Sequence, residues 1–352
     1  MAPATQAWTA RSGLGYAALV TALVALLVVS IAVGVVIGSV GLSLGEVFAA
    51  VGSRLGLLGG VDAANEHIVV NLRMPRVVTA AAVGAGLAVC GNVLQSLTGN
   101  VLADPYLLGM SSGASVGAVL ALTTGIGAGA LAGIGAVSAA AFIGAMGALG
   151  LVFAIATTRT GALLPNRLIL AGVAVAQGGA AISSALIYFG DRGAADAVLR
   201  WTLGSVAGAR WPSTIVVTAM VGVTLVVVWA YARSLDAFAF GDRAATSLGV
   251  PVTVTRWVLY ILVSLCTAVI VAQTGIIGFV GLVIPHLARL LVGPLHQRLL
   301  PVTALVGALL LVWTDVLART VKAGQELPLG LVTAIVGVPV FVWILRRHGA
   351  AA

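Results

Sequence analysis

Charge is what this sequence has least of. Only 8% of its 352 residues are Asp, Glu, Lys or Arg, against about 25% in a soluble domain. Hydrophobic residues make up 61%, and the mean hydropathy is +1.16. No water-soluble core hides that much apolar surface, so the solvent for most of the chain is lipid. Lysine is nearly absent, since Lys322 stands alone, and the net charge of +8 rests on arginine. The arginines scatter over connections and form no patch, which argues against nucleic-acid binding. Cysteine is scarce as well. Cys90 and Cys266 each sit inside an apolar run, which makes no metal or redox motif. No phosphate-binding Walker A pattern, metal-ligand cluster or nucleophile–base set is present. Carboxylates are almost missing from the apolar runs, with Asp315 the clearest case. A proton-coupled transporter usually needs carboxylates at mid-membrane, so a stand-alone secondary transporter or channel lacks its expected machinery. A cleaved leader is not expected either: there is no small-residue cleavage site, and the first apolar run is long enough to span.

What is present is a series of apolar runs. Ten read as spans, over residues 14–37, 77–97, 106–122, 135–156, 168–189, 211–231, 257–272, 276–292, 300–317 and 327–345. They describe an all-α polytopic membrane protein, with residues 1–352 as one transmembrane domain. Ten spans put both termini on one side, taken here as cytoplasmic. Ten of the 18 Lys and Arg then fall inside, Arg11 and Arg347 among them. That is the right sign for the positive-inside rule, by a narrow margin. The others gather at outer span ends, which suits an acidic partner. Ser43-Leu44-Gly45-Glu46 reads as a cap ahead of an amphipathic piece at 47–58. Residues 190–210, with Asp191 and Arg192, are too polar to span and suit a short surface helix. Gly109, Gly113 and Gly117 recur every four residues, which allows close helix approach on one face. Residues 123–135 are a glycine-rich turn.

Two stretches stand out. In 72–117, a basic turn, Arg73-Met74-Pro75-Arg76, precedes a span, and a polar break at 99–105 follows it. In 236–251, two helix-sized pieces meet at Gly241. Asp242 is placed to cap 243–248, and Gly249 with Pro251 to stop it. This is either a compact knob for a partner's cleft or an ordinary amphipathic loop. Asp315 and Arg319, four apart, suit a helix-end pair.

Four motifs carry a resemblance over nearly the whole chain. They are LRMPR at 72–76, GNVLADPYLLGMSSGA at 99–114, GDRAATSLGV at 241–250, and GIIGFVGLVIPHLARLL at 275–291 with ELPLGLVTAIVGVPVFVWIL at 326–345. The chain resembles the permease subunits of iron-chelate, haem and cobalamin transport, the type II ATP-binding-cassette (ABC) importers. The resemblance implies a homodimer of ten-helix subunits, two cytoplasmic ATPase subunits that bind the ATP, and an external substrate-binding protein. It implies no catalysis and no cofactor or metal on this chain. By motif, Arg73, Arg76 and Arg319 match arginines that dock the binding protein. Asn100, Val101 and Leu102 match a cytoplasmic gate, with Val101 where the family usually has proline. Pro165 and Asn166 are a second gate candidate. Gly241, Asp242, Ala245, Leu248 and Gly249 match helices that couple to the ATPase. Pro285, His286 and Arg289 shape the end of the eighth span. The implied cargo is an iron chelate, a ferric siderophore or haem, with cobalamin the alternative. From another class, a stand-alone secondary transporter remains the competing reading.

Overall fold

The computed structural model describes residues 13–38, 41–54, 56, 62–124, 132–159, 161–190, 192–322 and 325–349. Arg11, Asp191 and residues 125–131 of the glycine-rich turn lie outside these, as do the side chains of Arg192 and Arg347. Ten apolar helices account for most of the rest. They are α1 (Gly13–Val36), α4 (Met74–Thr98), α5 (Met110–Thr124), α6 (Ala132–Ala156), α7 (Pro165–Phe189), α9 (Trp211–Ala230), α12 (Val252–Thr274), α13 (Val280–Val292), α14 (His296–Thr320) and α15 (Leu329–Gly349). Seven segments are long and apolar enough to cross a bilayer, while α5, α13 and α15 offer shorter apolar stretches. Between them lie five small helices: α2 (Leu44–Arg54), α3 (Ala63–Glu66), α8 (Arg192–Thr202), α10 (Ala232–Phe238) and α11 (Asp242–Ser247). The cap of α2 is a reciprocal box. Glu46 accepts from the Ser43 amide at 2.7 Å, and Ser43 Oγ accepts from the Glu46 amide at 3.2 Å.

The bundle is organised around α4. Between Val77 and Gly91 its sequence is apolar or small on every face, the pattern of a helix enclosed by others. It packs against α14, α9, α13, α12 and α1, and its core window is 94% buried. Glycine sets the closest approaches. A Cβ on Gly84 would strike the Gly307 carbonyl of α14, and one on Gly91 the Gly281 carbonyl of α13. A second group, α5, α6 and α7, joins through α12. Gly113 and Gly117 pack on Gly144 and Ala140 of α6, as their spacing predicts. Gly109 does not share that face. It sits before α5 in a left-handed conformation, beside Val175 of α7.

Two local expectations are corrected. Arg73–Arg76 is not a turn: the chain is helical from Ala63 to Thr98, through a π-wound segment at His67–Arg73. Met74 N–H reaches back five residues to Val69 O. Pro75 brings no N–H and crowds the turn before it, and the wider winding accommodates the ring. The second correction concerns Asp242, which does not cap α11. Gly241, at φ +86°, holds the cap position, and Asp242 is the first helical residue.

The shorter spans start from breaks in irregular backbone. Lipid offers such backbone no hydrogen bonds, so protein must supply them. The Tyr106 hydroxyl, on a 3-10 turn at Pro105–Leu108, does so. It donates to Ile277 O at 3.0 Å and accepts from Ile277 N at 3.2 Å, just ahead of α13. Leu329 and Gly330 at the start of α15 donate to Gly204 O and Leu203 O.

Candidate functional site

Most of the residues singled out above fall near the two ends of α4 and on the knob between α9 and α12, with Pro165 and Asn166 apart at the head of α7. At the Arg76 end, helix termini and buried charge meet. Arg73 donates to Val35 O at 3.0 Å and Val36 O at 2.6 Å, the last carbonyls of α1. Arg319 donates to Gly34 O at 2.6 Å. Helix C-termini leave carbonyls without partners and favour cations, so both arginines cap α1. Asp315 is fully buried. It accepts from Arg76 Nε at 2.9 Å and lies 3.4 Å from Arg319 Nη2. Its closer partner is therefore Arg76 of α4, not the Arg319 four residues on. Arg76 also reaches Glu326 at 2.8 Å, whose side chain is 47% exposed. The three arginines do converge, but they face inward. Arg73 is 6% and Arg319 9% exposed.

The other end of α4 closes on Gly99, left-handed at φ +62°. The Asn100 side chain then builds the turn. Its Oδ1 accepts from Leu102 N at 2.9 Å, and its carbonyl from Ala103 N at 3.0 Å. The turn thus closes without a proline at 101. Val101 and Leu102 project from it, 60% and 43% exposed. Beneath them, Gln95 was not legible as a site residue. Its amide lies within 3.2–3.4 Å of the carbonyls of Ala103, Gly281 and Leu282, and its oxygen accepts from Arg289 at 2.7 Å. Arg289 therefore braces α13 against α4. Asp104 accepts from Tyr106 N at 2.9 Å. Burial pushes its carboxyl up to about 6, partly offset by that amide. Pro165 opens α7 and Asn166 follows it, and neither shares the hydrogen bonds of this turn.

The knob is α10 and α11. Asp242 binds Arg256 of α12 through two bonds of 2.7 and 2.8 Å, the planar fork that suits a carboxylate. Arg256 also stacks over Phe238 at 5.3 Å. Ala245 is buried beneath, and Gly249 reverses the chain at φ +83°. What the knob presents is apolar: Leu248 is 68% and Phe240 76% exposed. Phe240 was missed, although a large apolar residue beside a turn glycine is a signal. Three further residues were missed: Asp236 of α10, His296 of α14 and Ser96 of α4. The His296 ring bridges Asp236 Oδ1 at 2.6 Å and Ser96 Oγ at 2.7 Å. They lie 60 and 200 positions apart in sequence, beyond any local spacing.

Known proteins resemble this chain over most of its length. A family model described as the FecCD transport family matches residues 26–347. The chain belongs to the FecCD transport family. It is 40% identical over 293 residues to the cobalamin import system permease protein BtuC of Halobacterium salinarum, covering 83% of this chain and 77% of that one. It is 38% identical over 283 residues to the hemin transport system permease protein HmuU of Yersinia pestis, covering 80% and 84%. A solved structure described as a metal-chelate type ABC transporter, inward-facing, matches with a TM-score of 0.82 at 30% identity. It covers 94% of this chain and 100% of that one. In this FecCD chain one helix face is notable for what it shows. Ala174, Gln177, Gly178 and Ala181 of α7 are all exposed, at i, i+3, i+4 and i+7. A small, partly polar face is a poor match for lipid and a good one for a wet passage.

Proposed function

We propose that this chain is the permease subunit of an ABC importer that moves an iron chelate, a ferric siderophore or haem, across the cytoplasmic membrane. The observation that carries the reading is the α10–α11 knob. Its base is fixed by the Asp242–Arg256 fork, and its tip leaves Phe240 and Leu248 largely exposed. Such a tip suits the cleft of a cytoplasmic ATPase. Two copies form the pore, with the Ala174–Gln177–Gly178–Ala181 face of α7, and α15, toward the passage. Asn100, Val101 and Leu102 narrow it at the cytoplasmic end, with Pro165 and Asn166 at the head of α7. Both termini lie on that side. An external binding protein docks at the Arg76 end and selects the cargo. Arg73 and Arg319 hold the docking surface in shape, and a carboxylate of the binding protein reaches Arg76 by exchange with the exposed Glu326. ATP binding closes the two ATPases and moves the knobs, and the pore then opens to one side at a time. This chain itself binds no ATP or cofactor and does no chemistry on the cargo.

The test is ATP hydrolysis by the reconstituted complex with each candidate binding protein and its cargo. Wild type should be stimulated, and Leu248→Asp should fail to retain the ATPase. Retention of a fully active ATPase by Leu248→Asp would rule the knob out as the coupling element. Cobalamin is the second reading, favoured by the relatives named for cobalamin import at 38–40% identity. The same assay separates the cargoes.

A further inference from the structure

From the knob to the last turn of α4, three residues short of Gly99, runs a chain of polar contacts through Asp236, His296 and Ser96. Asp236 sits near the end of α10. Its Oδ1 accepts from the backbone N–H of His296 at 2.9 Å and meets the ring Nδ1 at 2.6 Å. His296 is the first residue of α14, and the residue before it, Leu295, supplies no side-chain cap. A carboxylate from another helix therefore caps α14, where negative charge is favoured. The ring is buried, and its Nε2 lies 2.7 Å from Ser96 Oγ. Ser96 is in the last turn of α4, also 3.0 Å from Asn92 O, and the Gly99–Leu102 turn follows within three residues. Its neighbour Gln95 holds Ala103 O. Both sides of the turn are thus anchored to the α4 end that His296 grips.

We infer that His296 is a positioning residue for transport, carrying displacement of the α10–α11 knob through Asp236 and Ser96 to the turn at Asn100–Leu102. The inference rests on the importer reading given above. Three features favour transmission over simple packing. The contacts are short and directional, so they pull as well as push, which apolar contacts do not. Each link joins a different helix. The imidazole is a rigid plane held at both nitrogens, by Asp236 and by Ser96, so the ring itself does not deform between them.

The test reads the turn directly. Leu102→Cys is placed in the chain and the complex with its ATPase is reconstituted. Cys90 and Cys266 are fully buried, so a membrane-impermeant maleimide reports on position 102. Its labelling rate is measured with and without ATP, and ATP hydrolysis is measured alongside to show that the complex is active. In the otherwise wild-type chain the rate should respond to nucleotide. In His296→Ala, Asp236→Ala and Ser96→Ala that response should fall about tenfold, within the range for coupling between sites. Ser96→Thr, which keeps the hydroxyl, should restore it. If His296→Ala does not assemble, Ser96→Ala removes only one hydroxyl and carries the test. A full response in assembled His296→Ala or Ser96→Ala overturns the relay while the importer reading stands. Labelling that ignores nucleotide in the wild-type background overturns both.

Discussion

Replacing Asp315 by Asn tests the network at the Arg76 end. The change keeps the shape and one acceptor but removes the buried anion between two cations, at 2.9 Å from Arg76 and 3.4 Å from Arg319. Arg76 would keep Glu326 and Arg319 would keep Gly34 O. Neither remaining partner supplies a buried negative charge. Breaking a buried ion pair from one side costs about 3–5 kcal/mol, because the partner's charge stays desolvated. Glu326→Gln is the internal control. Its carboxylate is half-exposed, and such pairs contribute at most about 1 kcal/mol. The assay is the fraction of purified chain that stays monodisperse in detergent after heating. Asp315→Asn should melt roughly 5–10 °C below wild type, and Glu326→Gln within about 3 °C of it. Equal melting of Asp315→Asn and wild type would refute the assignment of Asp315 as the charge that holds α4, α14 and α1 together.

Other outcomes follow from the same geometry. Glu326→Gln frees Arg76 from its exposed competitor, so binding-protein affinity should rise; an unchanged affinity in a titration would place docking elsewhere. Gly91→Val forces side-chain atoms against the Gly281 carbonyl, and overpacking of this kind costs about 1–3 kcal/mol or more. Reduced thermal survival with no such loss for Gly147→Val, where nothing lies near, is the expected contrast. Asp104 carries its proton more tightly in the folded chain, with a carboxyl at about 6 against an ordinary 3.8. Stability should therefore fall as pH rises from about 4 to about 6 and stay lower above it, by about 3 kcal/mol. Asp104→Asn should flatten melting temperature against pH and raise it at pH 7.5. A variant curve parallel to wild type would show that the carboxyl is not what titrates. Gln177→Leu should slow cargo uptake without lowering ATP hydrolysis if that face of α7 lines the passage; unaltered uptake would remove it from the wall.

Much of the fold was legible because lipid imposes one rule on every segment. Backbone polar groups must be paired within the segment, so long apolar runs become helices. The apolar content, the positions of the spans and the capping box at Ser43–Glu46 follow from that rule and from local spacing. So does the Gly113–Gly117 face, because a four-residue repeat lands on one side of a helix wherever it packs. The four motifs fall at both ends of α4, on the knob, and at the break before α13. Sequence alone picked out these candidate positions. It did not decide what each side chain there does. Arg73, Arg76 and Arg319 read as outward cations, and the tertiary structure turns them into helix caps and a buried ion network, because α1 ends beside Arg73 and Arg319 and Asp315 reaches Arg76 from 239 residues away. Asp242 read as a cap and became the partner of Arg256. Asp236, His296, Ser96 and Gln95 carried no local signal, since each gains its role from a partner on a distant helix. Burial and charge pairing are properties of neighbours in space, and in a bundle built around one central helix those neighbours are chosen by packing, not by order along the chain.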